Sequence, residues 1–343
     1  MCRIEYNMTD IFEYINLVHS EKSKRDSIVD GILDAIANNA ISKGDPLPSV
    51  NKLIQRLGVA RMTIVKALNI LKERGIILSE DRVGYFVRDV NVKRELKVFL
   101  FLTGFFSYHE TLYNSIIYNI SDPDITIDLY FHHCNPKIFK SVLLENLGSY
   151  GMYVVTVFDD PQVKAILSRI PSKKLLQIVR PPLLEGVSSI TQDFYFGLKK
   201  SLEKLIERLS NYEKFILVFP LRKGHPEVIK TAFTEFCTEN GIAHHIEKKV
   251  IRDIITKGTA FWVIEESDLI SLIKMGEEMG LTLGDNIGIL SYNETPMKEI
   301  IRNGITVVSA DFVKMGQSIS QFINTRKPTT EVFVPEIILR KSL

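Results

Sequence analysis

The sequence predicts a small α+β domain of winged helix-turn-helix type, followed by a two-lobed α/β domain with parallel, doubly wound sheets. Three observations lead there. Between residues 25 and 88, three apolar-striped helical segments are followed by two short β-prone runs joined through a glycine-bearing loop. From residue 96 onward, near-continuous apolar runs alternate with helical segments, the pattern of parallel strands covered on both faces. That second region runs to roughly 250 residues, more than one sheet usually needs, so it divides into two lobes with a cleft between them.

The elements of the first region follow from local pattern. Residues 8–19 form a short amphipathic helical extension, capped by Thr9 or Asp10, and a polar break covers residues 20–24. Ile28, Ile32, Leu33, Ile36 and Ala40 recur at helical spacing until Gly44, Pro46 and Pro48 stop that helix. A second helix over 49–57 turns Val50, Leu53, Ile54 and Leu57 inward, and Gly58 makes the turn into a third over 61–74, with Ile64, Ala67, Leu68 and Leu71 on one face. Gly75 ends it from the C′ position. Strands over 76–79 and 85–88 complete the unit. The domain spans 1–88, a charged linker 89–95, and the second domain 96–343.

In the second domain, strands are expected over 97–103, 125–131, 153–158, 175–179, 189–192, 215–219, 260–264 and 287–291. Helices are expected over 108–120, 136–147, 161–169, 194–209, 227–240, 268–279 and 296–302. No tandem repeat or low-complexity tract is visible.

Composition bounds the function class. The chain has 343 residues, 45% hydrophobic and 24% charged, with a formal net charge of +2. Overall charge therefore announces no nucleic-acid partner, but its distribution is informative. Residues 43–75 carry Lys43, Lys52, Arg56, Arg61, Lys66, Lys72 and Arg74 against Asp45 and Glu73, whereas acidic side chains outnumber basic ones in residues 1–42. This is either a polyanion footprint or a solvated helix face. Cys2, Cys134 and Cys237 are few and far apart, which fits a reducing cytosol and no disulfide framework. The N-terminus does not read as a signal peptide, and the apolar run 98–106 is too short to span a membrane. A cytoplasmic protein without membrane partner is expected.

The motif Gly44-Asp45-Pro46-Leu47-Pro48-Ser49, with Leu53, Leu57-Gly58-Val59, Arg61-Met62-Thr63, Ala67-Leu68, Leu71, Arg74-Gly75-Ile76 and Gly84-Tyr85-Phe86-Val87, resembles the winged helix of the GntR family of transcriptional regulators. The resemblance implies double-stranded operator DNA as partner. A recognition helix puts its first turn into the major groove, so Arg61, Met62, Thr63 and Lys66 are the candidate contacts. Ser49 caps the preceding helix, whose N-terminus can face a phosphate. Gly84 permits close approach of the wing. The chain departs from the family at Ala60, Val50-Asn51 and Val65, leaving Lys52, Arg56 and Arg82 as substitute phosphate contacts.

For the second domain, the resemblance is to the periplasmic-binding-protein-like core of the LacI/GalR family. It rests on Gln192-Asp193 with Gly197, Gly284-Asp285-Asn286-Ile287-Gly288, Ser291-Tyr292-Asn293-Glu294-Thr295-Pro296, Ile305–Val308, Asp311 with Gly316, and Val334-Pro335-Glu336. The combination is similar to regulators of the arabinose-repressor type. It implies a homodimer, and a monosaccharide or sugar phosphate held between the lobes at the carboxyl ends of strands. Asp193, Asn293 and Glu265 match family ligand positions, and Glu227 stands where relatives use an arginine. Phe105, Phe106, Tyr108 and His109 follow the first strand and are placed to cover or bond a sugar. Each has a structural alternative: Asp193 as a helix cap, Phe105 and Phe106 as core, Glu265 as solvated.

No catalytic residue, cofactor or metal is expected. The Walker, nucleophile-elbow, zinc-protease and dinucleotide motifs are absent. His132-His133 and His244-His245 are adjacent on strands, so their side chains point to opposite faces. The expectation is a transcriptional repressor of a carbohydrate-utilisation operon that senses a sugar, with the direction of the sugar's effect left open. The alternatives are a regulator whose large domain only dimerises or docks a protein, and an enzyme with an accessory helical domain.

Overall fold

The computed structural model describes residues 11–15, 17, 23–80, 83–89, 96–221 and 224–343. They fall into two units, Met1–Leu96 with Asn146–Gly151, and Lys97–Glu145 with Met152–Leu343. Most of the expected N-terminal extension, its cap, the break at 20–22, Arg82, the linker at 90–95 and Lys223 lie outside the described residues.

In the first unit, helix α1 (Ile11–Tyr14) packs on α2 (Lys24–Ala37). Gly31 makes the approach possible: a Cβ there would fall 2.5 Å from Ile15 Cγ1 and 2.8 Å from the Tyr14 carbonyl oxygen. Helix α3 (Val50–Leu57) starts at Ser49, whose hydroxyl accepts the Lys52 amide at 3.3 Å, and ends at Gly58 in the left-handed region, φ 62°. Helix α4 (Arg61–Glu73) starts at Ala60 with no side-chain cap, which forgoes about 1 kcal/mol. Gly75, φ 71°, follows its last turn. Strands β1 (Ile77–Glu80) and β2 (Gly84–Val87) pair antiparallel. The Gly44–Leu47 segment bonds to the far edge of β2, through the Gly44 amide to the Val87 carbonyl and the Leu47 amide to the Tyr85 carbonyl, both 2.8 Å. The apolar stripes of α2 and α4 converge: Ile28, Ile32, Ile64, Ala67, Leu68 and Leu71 are fully buried.

The second unit holds two six-stranded sheets. The first contains β3 (Leu96–Leu102), β4 (Ile125–Phe131), β5 (Met152–Thr156), β6 (Leu175–Val179), β7 (Ser188–Gln192) and β13 (Thr330–Phe333), in the order β13-β7-β6-β5-β3-β4. The second contains β8 (Lys214–Val218), β9 (His244–Glu247), β10 (Thr259–Val263), β11 (Ile287–Tyr292), β12 (Thr306–Ser309) and β14 (Glu336–Ile338), in the order β14-β12-β11-β10-β8-β9. Both lobes thus repeat one winding, with an order reversal beside the first strand, although no sequence repeat is visible. The last strand differs: β13 adds parallel to β7, and β14 adds antiparallel to β12. The helices are α5 (Ser107–Tyr118), α6 (Pro136–Asn146), α7 (Pro161–Leu167), α8 (Phe196–Leu202), α9 (Ile206–Leu209), α10 (Val228–Glu239), α11 (Glu266–Glu278), α12 (Pro296–Ile300) and α13 (Phe312–Thr325).

The chain crosses between lobes after β7, after β12 and after β13. The first and third crossings are tied together. Both Asp193 oxygens serve backbone amides, of Tyr195 at 2.9 Å and Gly197 at 2.8 Å, while the Asp193 amide donates to the Phe333 carbonyl at 3.0 Å. Ser201 donates to the Pro335 carbonyl.

Two expected helices are corrected. The one over 194–209 is interrupted: α8 stops at Leu202, residues 203–205 form a 3-10 turn, and α9 resumes. The one over 296–302 ends at Ile300, because Ile301 turns to extended backbone, ψ 122°, and Arg302 follows at φ 50°. Strands β9, β12, β13 and β14 and helix α13 add to the elements expected. His132 and His133 lie beyond the end of β4, with His132 fully buried and His133 exposed at φ 51°.

Candidate nucleic-acid interface and ligand cleft

In the first unit, burial of one face of α4 leaves Arg61, Met62, Lys66 and Asn69 exposed on the other, with Thr63 half-buried between. Met62 is 62% exposed, an unusual setting for a large apolar side chain. Arg61 Nη1 donates to Asn51 Oδ1 at 3.3 Å, so α3 orients the guanidinium that opens α4. Asn51, a departure from the family pattern, thereby acquires a positioning role that sequence spacing alone does not reveal. Lys52 is half-buried beside Ser49. Arg56 is drawn the other way: its guanidinium lies over the Phe12 ring, 5.1 Å from the centroid, so the N-terminal helix competes for it. Gly84, φ 142°, stands at the base of the exposed hairpin tip beside Val83. The result is an exposed patch of cations and one apolar side chain on the first two turns of α4, suited to phosphates and base edges.

In the second unit, residues that follow β3 and β6 in one lobe meet residues that follow β8 and β10 in the other. Phe106 stacks on Tyr108 (5.7 Å between centroids) and meets His109 edge-on (5.5 Å) in its own lobe, and reaches His225 of the other lobe at 5.7 Å. Tyr108 stacks on Phe312 at the second crossing, 4.5 Å. Ser107 donates to Glu266 across the cleft at 2.6 Å. Arg180 donates to the Gly224 carbonyl. His225 Nε2 lies 3.1 Å from Glu265 Oε1, and its ring is 6.2 Å from that of Tyr292.

Burial favours the neutral form of two histidines and two tyrosines here. His109 is lowered to about 4 and His132 to about 3, in each case chiefly by desolvation, with the nearby Arg180 charge acting in the same direction. The Tyr108 and Tyr292 hydroxyls are held far above the usual tyrosine range, again by burial. The tautomer of His109 follows from its partner. Nδ1 lies 2.6 Å from the Gly104 carbonyl, which can only accept, so Nδ1 carries the proton and Nε2 offers a lone pair. That Nε2 is buried with no hydrogen-bond partner, as is Asn293 Oδ1. Asn293 sits in left-handed backbone, φ 59°, pinned by buried Lys298, whose ammonium donates to the Tyr292 and Asn293 carbonyls at 2.8 Å each. Desolvation lowers Lys298 to about 8.

Of the sequence candidates, Phe106, Tyr108, His109, Glu265 and Asn293 converge on this cleft. Phe105 is 87% exposed and lies against Phe131. Asp193 is engaged as a helix cap at a crossing. Glu227 is exposed and paired with Lys230 one turn along. Arg180 and Tyr292 escaped notice as site residues. The signal for Arg180 was a charged residue between the fully buried strand 175–179 and Pro181-Pro182.

Residues 24–87 match the family model of bacterial regulatory proteins of the gntR family. Solved structures match the fold of the larger part of the chain. A dimeric Lac repressor with a C-terminal deletion aligns at TM-score 0.61 and 14% identity, covering 72% of this chain and 98% of that one. A LacI family regulator from Lactobacillus casei with bound glucose gives 0.59 and 12%, covering 72% and 100%. The LacI family regulator CCPA from Weissella paramesenteroides, with bound glucose, gives 0.58 and 15%, covering 72% and 98%. The chain therefore combines a GntR-type helix-turn-helix head with an α/β unit of LacI-like, periplasmic-binding-protein-like fold, the make-up of a DNA-binding transcriptional regulator. Among the described residues, no helix is long and apolar enough to cross a membrane.

Proposed function

We propose that the protein is a homodimeric regulator of a carbohydrate-utilisation operon, of the arabinose-repressor type, whose operator affinity changes when a small sugar occupies the interlobe cleft. The observation that carries this reading is the cleft itself. His109 Nε2, a buried acceptor without a donor, stands beside the aromatic rings of Phe106 and Tyr108, and Asn293 Oδ1, directly after β11 in the other lobe, is a second one. Sugar hydroxyls supply the donors, and rings cover a pyranose or furanose face.

On the head, Arg61 and Met62 address base edges, while Thr63, Lys66, Lys52 and the α3 N-terminus at Ser49 address phosphates. Gly84 of the hairpin approaches the adjacent groove, and Arg82, outside the described residues, is a further candidate contact from the sequence. Two heads on a dimer read a pseudo-palindrome. The three crossings form the hinge: sugar closes the lobes on itself, and closure shifts the spacing of the heads. Linkage makes the coupling reciprocal, so operator DNA changes sugar affinity by the same factor.

The test is selection of bound sequences from a random DNA pool, with and without a panel of sugars. The expected result is one pseudo-palindromic sequence whose enrichment changes with one sugar. Enrichment indifferent to every sugar favours a large domain that only dimerises or docks a protein. Consumption of the sugar by the protein points to an enzyme, and no enriched sequence overturns the proposal.

A further inference from the structure

The head carries an element that lies outside the residues matched by the gntR family model. That match begins at residue 24, and α1 (Ile11–Tyr14) precedes it. Four residues are too few to hold a helix alone in water, so packing holds this one. Ile11 and Ile15 are buried in the same apolar cluster as Ile28, Ile32 and Leu68, and the half-buried Phe12 packs against that cluster. The seat is cut into α2 at Gly31. A Cβ there would stand 2.5 Å from Ile15 Cγ1, 2.7 Å from Ile15 Cα and 2.8 Å from the Tyr14 carbonyl oxygen. The last two are backbone atoms, which yield only if α1 itself moves.

The seat fixes one ring against one cation. Arg56 lies in the last turn of α3, one helical turn beyond Lys52 and on the same face of that helix. In a helix-turn-helix, the helix before the recognition helix crosses the phosphate backbone, so cations along its open face are placed for phosphates. The two are presented differently. Lys52 stands at the start of α3 beside the Ser49 cap, whereas the Arg56 guanidinium is laid over the Phe12 ring, 5.1 Å from its centroid. Buried Ile11 and Ile15 anchor the segment that carries the ring, so forming the pair orders little besides the arginine.

We propose that α1 limits the affinity of the head for DNA: the Phe12 ring keeps Arg56 off the backbone and so withholds one phosphate contact. The inference rests on the DNA-binding reading of the head and is independent of the sugar. Its consequence follows from the chemistry of the contact. A cation freed to meet a phosphate strengthens binding to every duplex alike and carries no sequence information. Withholding it lowers the affinity for all duplexes and leaves discrimination to the base contacts.

The experiment titrates the full chain with a DNA duplex of scrambled sequence at salt concentrations from about 50 to 200 mM. The proteins are wild type, Phe12→Leu, Phe12→Tyr, Gly31→Ala, Arg56→Gln, and Phe12→Leu combined with Arg56→Gln. Phe12→Leu keeps an apolar side chain on the head and removes the ring. It should bind the duplex about two- to fivefold tighter than wild type at low salt. Its slope of log affinity against log salt should be steeper by about 0.9, the mark of one added phosphate contact. Phe12→Tyr should keep the wild-type slope. Gly31→Ala, which lifts α1 without altering either partner, should match Phe12→Leu. Adding Arg56→Gln should remove the gain of Phe12→Leu. Wild-type slopes in both Phe12→Leu and Gly31→Ala overturn the limiter, as does a gain that survives Arg56→Gln. A shallower slope in Arg56→Gln alone overturns it too, because Arg56 then meets phosphate from above the ring. In each of these cases the DNA-binding reading stands. No salt-dependent binding by any of the proteins, wild type included, overturns that reading and the limiter with it.

Discussion

On the head, Arg61, Met62 and Lys66 stand exposed on the first two turns of one helix, each long and reaching into solvent. In the cleft, His109, Tyr292 and Asn293 are buried, and Tyr108, Phe106 and Arg180 half-buried, with every histidine and tyrosine hydroxyl of the group that shows a resolved shift moved toward its neutral form. The contrast follows from the partners proposed for the two sites. DNA is a large polyanion whose charge is met by exposed cations at modest desolvation cost. A small polyol is held by hydrogen bonds, which are strongest where water is excluded and the protein's own groups are already desolvated. One site is therefore organised by surface charge on a single helix, and the other by burial between elements far apart in sequence.

The largest expected effect separates the two units. Leu68→Ala removes a fully buried side chain from the head and should cost about 2–5 kcal/mol. Denaturant unfolding should show the loss in the head's transition with the larger unit's unchanged, and a shared loss would mean that the two unfold as one. Next, Arg61→Ala should weaken operator binding by about 1–3 kcal/mol and leave sugar binding intact. Titration against salt sharpens the assignment: a slope smaller by about one means a phosphate contact, and an unchanged slope a base contact. Equal operator affinity in this variant rules out Arg61.

The third prediction tests the neutrality of the cleft. His109 and His132 have folded values of about 4 and about 3, below the ordinary 6.5, so the unfolded chain binds more protons as pH falls. Their contribution is therefore fully present above pH 6.5 and lost progressively as pH falls toward 4 and then 3. Unfolding midpoints at pH 7 and 4.5 should show that decline in the larger unit, and His132→Asn should reduce it. A decline of the same size in that variant removes His132 from the account. The smallest effect concerns Met62, whose exposed thioether chain fits a thymine methyl. Replacing single operator thymines by deoxyuridine should weaken binding at one position in each half-site by about 0.8 kcal/mol, the order of one buried methylene, and Met62→Ala should erase that difference. A penalty that persists in the variant assigns the methyl contact to another side chain.

Much of the head was legible because its determinants are local. The stripes Ile28-Ile32-Ile36 and Ile64-Leu68-Leu71, the Ser49 cap and the Gly58 and Gly75 turns each act within one or two helical turns. The cleft was legible only at the β3–α5 junction, at Asn293 and at Glu265. Asp193 shows the limit: the residue type fits a ligand or a cap, and only its bonds to the Tyr195 and Gly197 amides display the cap. The break after Leu202 was hidden because Glu203, Lys204 and Leu205 are all good helix formers.

By itself the sequence determined the winged helix, the alternation of strands and helices and the division into head and lobes, because apolar periodicity and turn residues are read over a few neighbours. Tertiary structure alone decided that Asn51 orients Arg61, that Phe12 claims Arg56, and that Arg180, His109 and Asn293 share one cleft. Those pairings depend on burial and on contacts between segments distant along the chain, and no local pattern encodes which buried polar atom will find a partner.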